Sequence, residues 1–176
     1  MKLIRIHYLD ASAIVKLVFN EPGSVELRQY FGRESNFTAT SLCFAEALGV
    51  LKVKRFNQKS MTDEEYFSGC DELMAYVADG NIEIEDIEVK DRGVFDEVEK
   101  LTRKYNEGKP KDKTIDISDG FQIVSVKRNY FSRFPDTDSK PILITGDQSL
   151  AKAARGEGLR VWYCIDEQPP NEINEA

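Results

Sequence analysis

Residues 142–165, ILITGDQSLAKAARGEGLRVWYCI, decide the fold. ILIT (142–145) is a short apolar run of strand type, and DQSLAKAAR (147–155) has the spacing of an amphipathic helix. Gly156 and Gly158 stop that helix, and LRVWYCI (159–165) is a second strand. Strand, helix and strand in this order form the repeating unit of a mainly parallel α/β sheet. Working outward, the alternation continues. LIRIHYL (3–9) is a first strand ended by Asp10, and ASAIVKLVF follows as a short helix. Asn20, Pro22 and Gly23 break the chain before a helix over Ser24–Phe31. A brief strand is predicted near Phe37–Thr40, and Ser41 is read as the N-cap of a helix from 42 to about 56. Thr62 and Glu65 form a capping-box pattern heading a helix that reaches about Ala78. NIEIEDIEV (81–89) alternates like a strand, Arg92–Tyr105 is helical, and EGKPKDK (107–113) is a loop. Ser118 is read as the cap of a helix through Arg128, and RFPDTDSKP (133–141) as a second loop. The expectation is a three-layer α/β/α fold with a mainly parallel sheet, as one domain over 1–166 with a flexible polar tail over 167–176.

Composition removes several classes. With 176 residues, 41% apolar and 31% charged, the chain has the makings of a packed core rather than a disordered or collagen-like segment. It has no run near the roughly 18 apolar residues of a membrane span, and MKLIRIHYLD carries charges where a signal peptide has an apolar block. A soluble cytoplasmic protein is expected. Three scattered cysteines (Cys43, Cys70, Cys164) argue against a disulfide framework or Cys-rich zinc site, and His7 is the single histidine. The net charge is −7, but residues 63 to 99 alone carry −12, which leaves the rest of the chain at +5. Lys100, Arg103, Lys104, Lys109, Lys111 and Lys113 give residues 100 to 113 a local +4, so a polyanionic substrate is compatible with the acidic total.

In an open parallel sheet, ligands bind beyond the carboxyl ends of the strands. Asp10 follows the first strand, Asp147 follows ILITG, and Asp119 lies at the start of the helix after the basic loop, with Asp116 three residues earlier. Each taken alone also suits a helix N-terminus, where a carboxylate meets unpaired backbone N–H groups. Glu46 is less ordinary. On SLCFAEALGVLKV, Leu42, Ala45, Gly49 and Val53 mark the face expected to pack inward, and Glu46 falls among them, so its charge requires a pair, a proton or a cation. Four acids from four segments, with no His or Cys partner, suit a hard cation, Mg²⁺ or Mn²⁺, better than zinc or copper.

At these residues the chain resembles the PIN-domain ribonucleases, in particular the VapC-like toxins of prokaryotic toxin–antitoxin pairs. The resemblance rests on YLDASAIVKL, SLCFAEALGVL, ISDGFQIVSV and LITGDQSLAKAARGEGLRV, in order along nearly the whole chain. It implies a PIN-like sheet of Rossmann-like, 5′-nuclease-like topology. It also implies an acidic metal-binding and catalytic quartet of Asp10, Glu46, Asp119 and Asp147, with Ser12 and Thr145 as hydroxyls beside the metal; Asp116 is extra to that quartet, as a substitute or a supporting ligand. The chain departs from the family in its added acidic stretch, its basic loop and the segment 129 to 140. It departs again at Gly120-Phe121, where Ala-Leu is commonly seen.

The implied chemistry is cleavage of an RNA phosphodiester by metal-activated water. Asp10 is the expected bridging ligand, Asp119 and Asp147 complete the cage, and Glu46 binds metal or orients the water. Lys16, Lys52, Lys54, Arg55, Lys109, Lys111 and Lys113 are the candidates to hold RNA phosphates. Rival readings are a haloacid-dehalogenase-like or receiver-like phosphotransfer domain, or a non-catalytic RNA- or protein-binding module of the same fold. The first would need an Asp where Ser12 stands; the second needs a Lys after a late strand, whereas Lys109-Pro110 lies in a polar loop. A nucleotide cofactor is not expected, because Gly156 and Gly158 end a helix rather than opening one. Apolar positions in the acidic stretch, Tyr66, Phe67, Leu73, Met74, Tyr76 and Val77, exceed the needs of one short helix and suggest a homodimer. The resemblance adds an antitoxin partner.

Overall fold

The computed structural model describes residues 5–88, 90–129, 132 and 140–171. Five strands, β1 (His7–Leu9), β2 (Phe37–Ala39), β3 (Ile82–Ile84), β4 (Ile142–Thr145) and β5 (Arg160–Tyr163), form one sheet in the order β3-β2-β1-β4-β5. Every pairing is parallel. Side chains alternate across the pleat, so each face of the sheet has its own core. Leu9, Ile142, Ile144 and Trp162 pack against α1 (Ala11–Val18), α2 (Ser24–Phe31), α3 (Ser41–Phe56) and α4 (Asp63–Ala78). Tyr8, Leu143 and Val161 meet α5 (Arg92–Asn106), α6 (Ile117–Arg128) and α7 (Gln148–Gly156) on the other side. The result is the three-layer α/β/α fold expected from the sequence. Among the described residues, no helix is long and apolar enough to cross a membrane.

The crossovers set the site. From β1 the chain moves outward to β2 and β3 on one side, and only later fills β4 and β5 on the other. The connections leaving β1 and β4 therefore diverge, opening a crevice beyond the carboxyl ends of these neighbours. The register His7↔Ile142, Tyr8↔Leu143, Leu9↔Ile144 brings Asp10 level with Thr145, and Asp10 N donates to Ile144 O at 3.0 Å.

Several expectations need correction. The N-cap of α3 is Thr40, whose hydroxyl accepts from Cys43 N, rather than Ser41. The N-cap of α6 is Asp116 rather than Ser118; Asp116 and Asp119 form a capping box, and the helix starts at Ile117. Of the strand predicted over 81–89, Ile82–Ile84 forms at the sheet edge and Val89 lies outside the described residues; Glu85 N still donates to Ala39 O at 2.9 Å, and its carboxylate accepts the Tyr8 hydroxyl at 2.7 Å. The inward face of α3 is Cys43, Ala47 and Leu51; Leu42 and Val53, each 44% exposed, point outward with Glu46. Small Cys43 and Ala47 let α3 approach closely, and that proximity, not side-chain bulk, selects the buried face. Residues 167–171, expected to be frayed, are tied down. Glu167 pairs with Arg155 at 2.6 Å and its carbonyl accepts Trp162 Nε1 at 3.1 Å, while Arg5 donates to Asn171 O at 2.7 Å. Residues 172–176, 133–139 of the second predicted loop, and Leu3 and Ile4 of the first strand lie outside the described residues.

The unusual Gly120 has a packing reason. A methyl there would lie 2.9 Å from Val98 Cγ1, so glycine lets α6 seat against α5; overpacking of this kind costs about 1–3 kcal/mol. The acidic stretch is largely absorbed by structure. Asp63 pairs with Arg55, Asp86 accepts from Ser41 N, Asp91 caps α5 and pairs with Arg128, and Glu97 bridges Lys127 and Arg128. Of its apolar positions, Leu73 is core and Tyr66, Tyr76 and Val77 pack against the core. Phe67 and Met74 are 59% and 54% exposed.

Candidate active site

Asp10 is the N-cap of α1, and only 7% of it is exposed. Its Oδ2 accepts from Ser12 Oγ at 2.5 Å, Ser12 N at 3.2 Å and Thr145 Oγ1 at 2.9 Å. Each hydroxyl has one proton to donate and spends it on this oxygen, leaving its lone pairs for the β4–α7 turn. Ser12 Oγ accepts from Gly146 N at 2.7 Å and Thr145 Oγ1 from Asp147 N at 2.9 Å. Ser12 and Thr145 thus lock the buried carboxylate to the turn that carries Asp147. Burial raises the Asp10 pKa, and these hydrogen bonds oppose the rise.

Asp147 caps α7, its Oδ1 accepting from Ser149 N at 2.6 Å and Leu150 N at 2.9 Å. Asp119 lies in the first turn of α6, its Oδ2 accepting from Asp116 N at 2.8 Å, while its own N donates to Asp116 Oδ1 at 2.9 Å. Burial pushes the Asp119 pKa up to about 8; the Asp116 backbone N–H works against this, and the negative charges of Asp10, Asp116 and Asp147 add to it. Glu46 projects from the open face of α3. Its pKa is raised first by desolvation, with Ser118 opposing, and then by the charges of Asp10, Asp116 and Asp147. Ser118 Oγ stands between Glu46 Oε2 at 3.0 Å and Asp116 Oδ1 at 2.7 Å. The five predicted carboxylates are therefore electrostatic neighbours at the β1/β4 crevice. Among the described residues, none of the five is in an ion pair.

One residue that the sequence reading passed over, Gln122, and one to which it gave another role, Ser118, join the helices around the carboxylates. Gln122 donates from Nε2 to Leu9 O at 3.3 Å and accepts from Cys43 Sγ at 2.7 Å, joining β1, α6 and α3 directly beneath the carboxylates. Its signal was a polar residue directly before Ile123 and Val124 in a helix that is otherwise apolar there. Ser118, assigned a capping role, instead connects α6 to α3.

The candidate cations divide. Lys16 is 4% exposed and pairs with Glu21 at 2.5 Å; Lys54 pairs with the other Glu21 oxygen at 2.9 Å, and Arg55 with Asp63 at 2.6 Å. Lys16, one of the candidates to hold RNA phosphates, is buried and already paired with Glu21. Glu21 instead ties α1, which Asp10 caps, to α3, which carries Glu46. Lys52, Lys109, Lys111 and Lys113 are exposed.

The donor set is oxygen-only, as a hard cation requires. Among the described residues, no three carboxylate, His or Cys groups already stand at the spacing of a closed metal-ligand set. Burial and the charges of their neighbours raise the pKa of both Glu46 and Asp119. No protein-family model matches the chain, and no curated protein is significantly similar to it.

Proposed function

We propose that this protein is a metal-dependent endoribonuclease of the PIN-domain type, similar to VapC-like toxins and acting in the cytoplasm. The observation that carries the reading is the mutual electrostatic coupling of Asp10, Glu46, Asp119 and Asp147 beyond the carboxyl ends of β1 and β4, with the Ser12 and Thr145 hydroxyls on Asp10 and, among the described residues, no ion pair to any of the four. Asp10, Asp119 and Asp147 would hold Mg²⁺ or Mn²⁺, with Asp116 supporting Asp119 through the capping box. The ion supplies an activated water and offsets charge on the phosphodiester oxygens. Asp10 is kept an acceptor by Ser12 and Thr145. Glu46, held by Ser118, faces the crevice from the opposite helix and orients the attacking water. Asp119, whose pKa burial and the neighbouring carboxylates raise to about 8, would bind such an ion in its deprotonated form, so its contribution to metal binding should strengthen as pH rises. A homodimer through the exposed Phe67 and Met74, and an inhibitory antitoxin, belong to the same proposal.

The test compares fluorescein-labelled single-stranded RNA with p-nitrophenyl phosphate, each with 5 mM Mg²⁺ and with EDTA. Internal cleavage of the RNA in Mg²⁺ alone is expected, with no turnover of the monoester. Hydrolysis of the monoester with intact RNA would favour the phosphotransfer reading instead.

A further inference from the structure

A second feature adjoins the carboxylates. Between the end of α5, the loop after it and the first turns of α7 lies a cavity of about 580 Å³, within the size range of small-ligand sites. Tyr105, Lys109, Lys113 and Lys152 line it, and Asp147 lies on its wall, so it opens onto the candidate metal site. The loop is built rather than loose. Asn106 donates from Nδ2 to Ile115 O at 2.7 Å and accepts Ile115 N at 2.8 Å, pinning both ends of the lysine-bearing segment. Tyr105 is fixed by its hydroxyl on Glu157 Oε1 at 3.0 Å, and the Lys109 ammonium lies 5.3 Å from its ring centre.

Near α3, Lys16 and Lys54 share Glu21 and Arg55 pairs with Asp63, while Lys104 and Lys127 share Glu157. Among the described residues, Lys109, Lys113 and Lys152 have no carboxylate partner. Lys52, Lys59, Lys90, Lys100 and Lys111 also lack one among the described residues, and it is the cavity that gathers three such lysines in one place. Three uncompensated ammonium groups around an aromatic wall are what a phosphate-bearing, unpaired nucleotide requires: lysines take the backbone charge, and a ring takes an exposed base face. A duplex hides its base faces and could not use the ring.

We infer that this cleft is a nucleotide-binding subsite for single-stranded RNA, in which Lys109, Lys113 and Lys152 hold backbone phosphates and Tyr105 stacks a base beside the cleavage point. The inference rests on the nuclease reading for its substrate but is tested by binding alone. The probe is a 5′-fluorescein 12-nucleotide oligouridylate, followed by anisotropy in EDTA at 50 to 200 mM salt. Wild-type protein is expected to bind it below 100 µM at the lowest salt. Lys109→Gln/Lys113→Gln/Lys152→Gln is expected to weaken binding at least tenfold and to reduce the salt slope by about 2, at about 0.7 per lost phosphate contact. Tyr105→Leu is expected to lose about fivefold or more, and Tyr105→Phe, which keeps the ring, less than twofold. Lys59→Gln/Lys90→Gln/Lys100→Gln, the same charge removed elsewhere, should change affinity by less than twofold. Absence of binding by the wild type, equal losses in the two triple variants, or a hairpin duplex bound as tightly as the single strand would each overturn the subsite. If the strand binds through these lysines but is never cut in Mg²⁺, the subsite stands and the nuclease reading falls. If it is cut, and the cleft variant keeps its KM, the reverse holds.

Discussion

Asp10→Asn is expected to lower the rate of Mg²⁺-dependent RNA cleavage by about 10³-fold or more, since a metal's charge stabilisation is worth several kcal/mol and each 1.36 kcal/mol is a factor of ten. The substitution is isosteric, and Asn caps a helix about as well as Asp, so α1 should form as before. The amide oxygen can still accept from Ser12 N, Ser12 Oγ and Thr145 Oγ1. What is lost is the negative charge that a cation needs. Because Asp10 is buried without an ion pair, the metal-free variant should melt at or above the wild-type temperature. Single-turnover cleavage and thermal unfolding in EDTA check the two halves. An Asn variant that cuts at the wild-type rate would remove Asp10 from the mechanism, and one that fails to fold would make its role structural.

The second large effect is on stability and its pH dependence. Asp119 has a folded-state pKa of about 8 against an ordinary 3.8, so between these values the native protein holds a proton that the unfolded chain has released. Stability falls with pH wherever the native state binds more protons. For Asp119 the metal-free protein should therefore lose stability as pH rises from about 4 towards 8, and the raised Asp10 and Glu46 act in the same direction. Asp119→Asn removes the Asp119 share of this slope, and its advantage over wild type should grow from near zero at pH 4 to a few kcal/mol at pH 8. Mg²⁺ binds the deprotonated form, so it should stabilise wild type more at pH 8 than at pH 6 and stabilise Asp119→Asn little at either. Urea unfolding at pH 4, 6 and 8, with and without Mg²⁺, reads all of this. Parallel pH profiles for the two proteins, with no Mg²⁺ effect, would contradict it.

The parts legible from sequence were those written in local spacing. The bounds of α2 and the Thr62–Glu65 capping box follow from turn and cap chemistry within a few residues, and the placement of Asp10 and Asp147 follows from the parallel topology that ILIT–helix–LRVWYCI announces. The misreadings came from choices that local chemistry leaves degenerate. Asp116 and Ser118 are both good caps, and only the Asp116–Asp119 reciprocity decides between them. On α3, Leu42 and Val53 outweigh Cys43 and Ala47 in hydrophobicity, yet close approach to α1 favours the small residues. Contacts between distant elements were not legible at all. Glu21 taking Lys16 and Lys54, Ser118 reaching Glu46, and Lys152 lining one cavity with Lys109 depend on how helices are set side by side.

Diffraction from crystals soaked in Mn²⁺, recorded at the manganese absorption edge, tests the central claim most directly. The account predicts an anomalous peak at the crevice between β1 and β4, about 2 Å from carboxylate oxygens of Asp10 and Asp119 and lost in crystals of Asp10→Asn. A peak bound elsewhere, or a crevice that stays empty while its carboxylates keep their present separation, would contradict it.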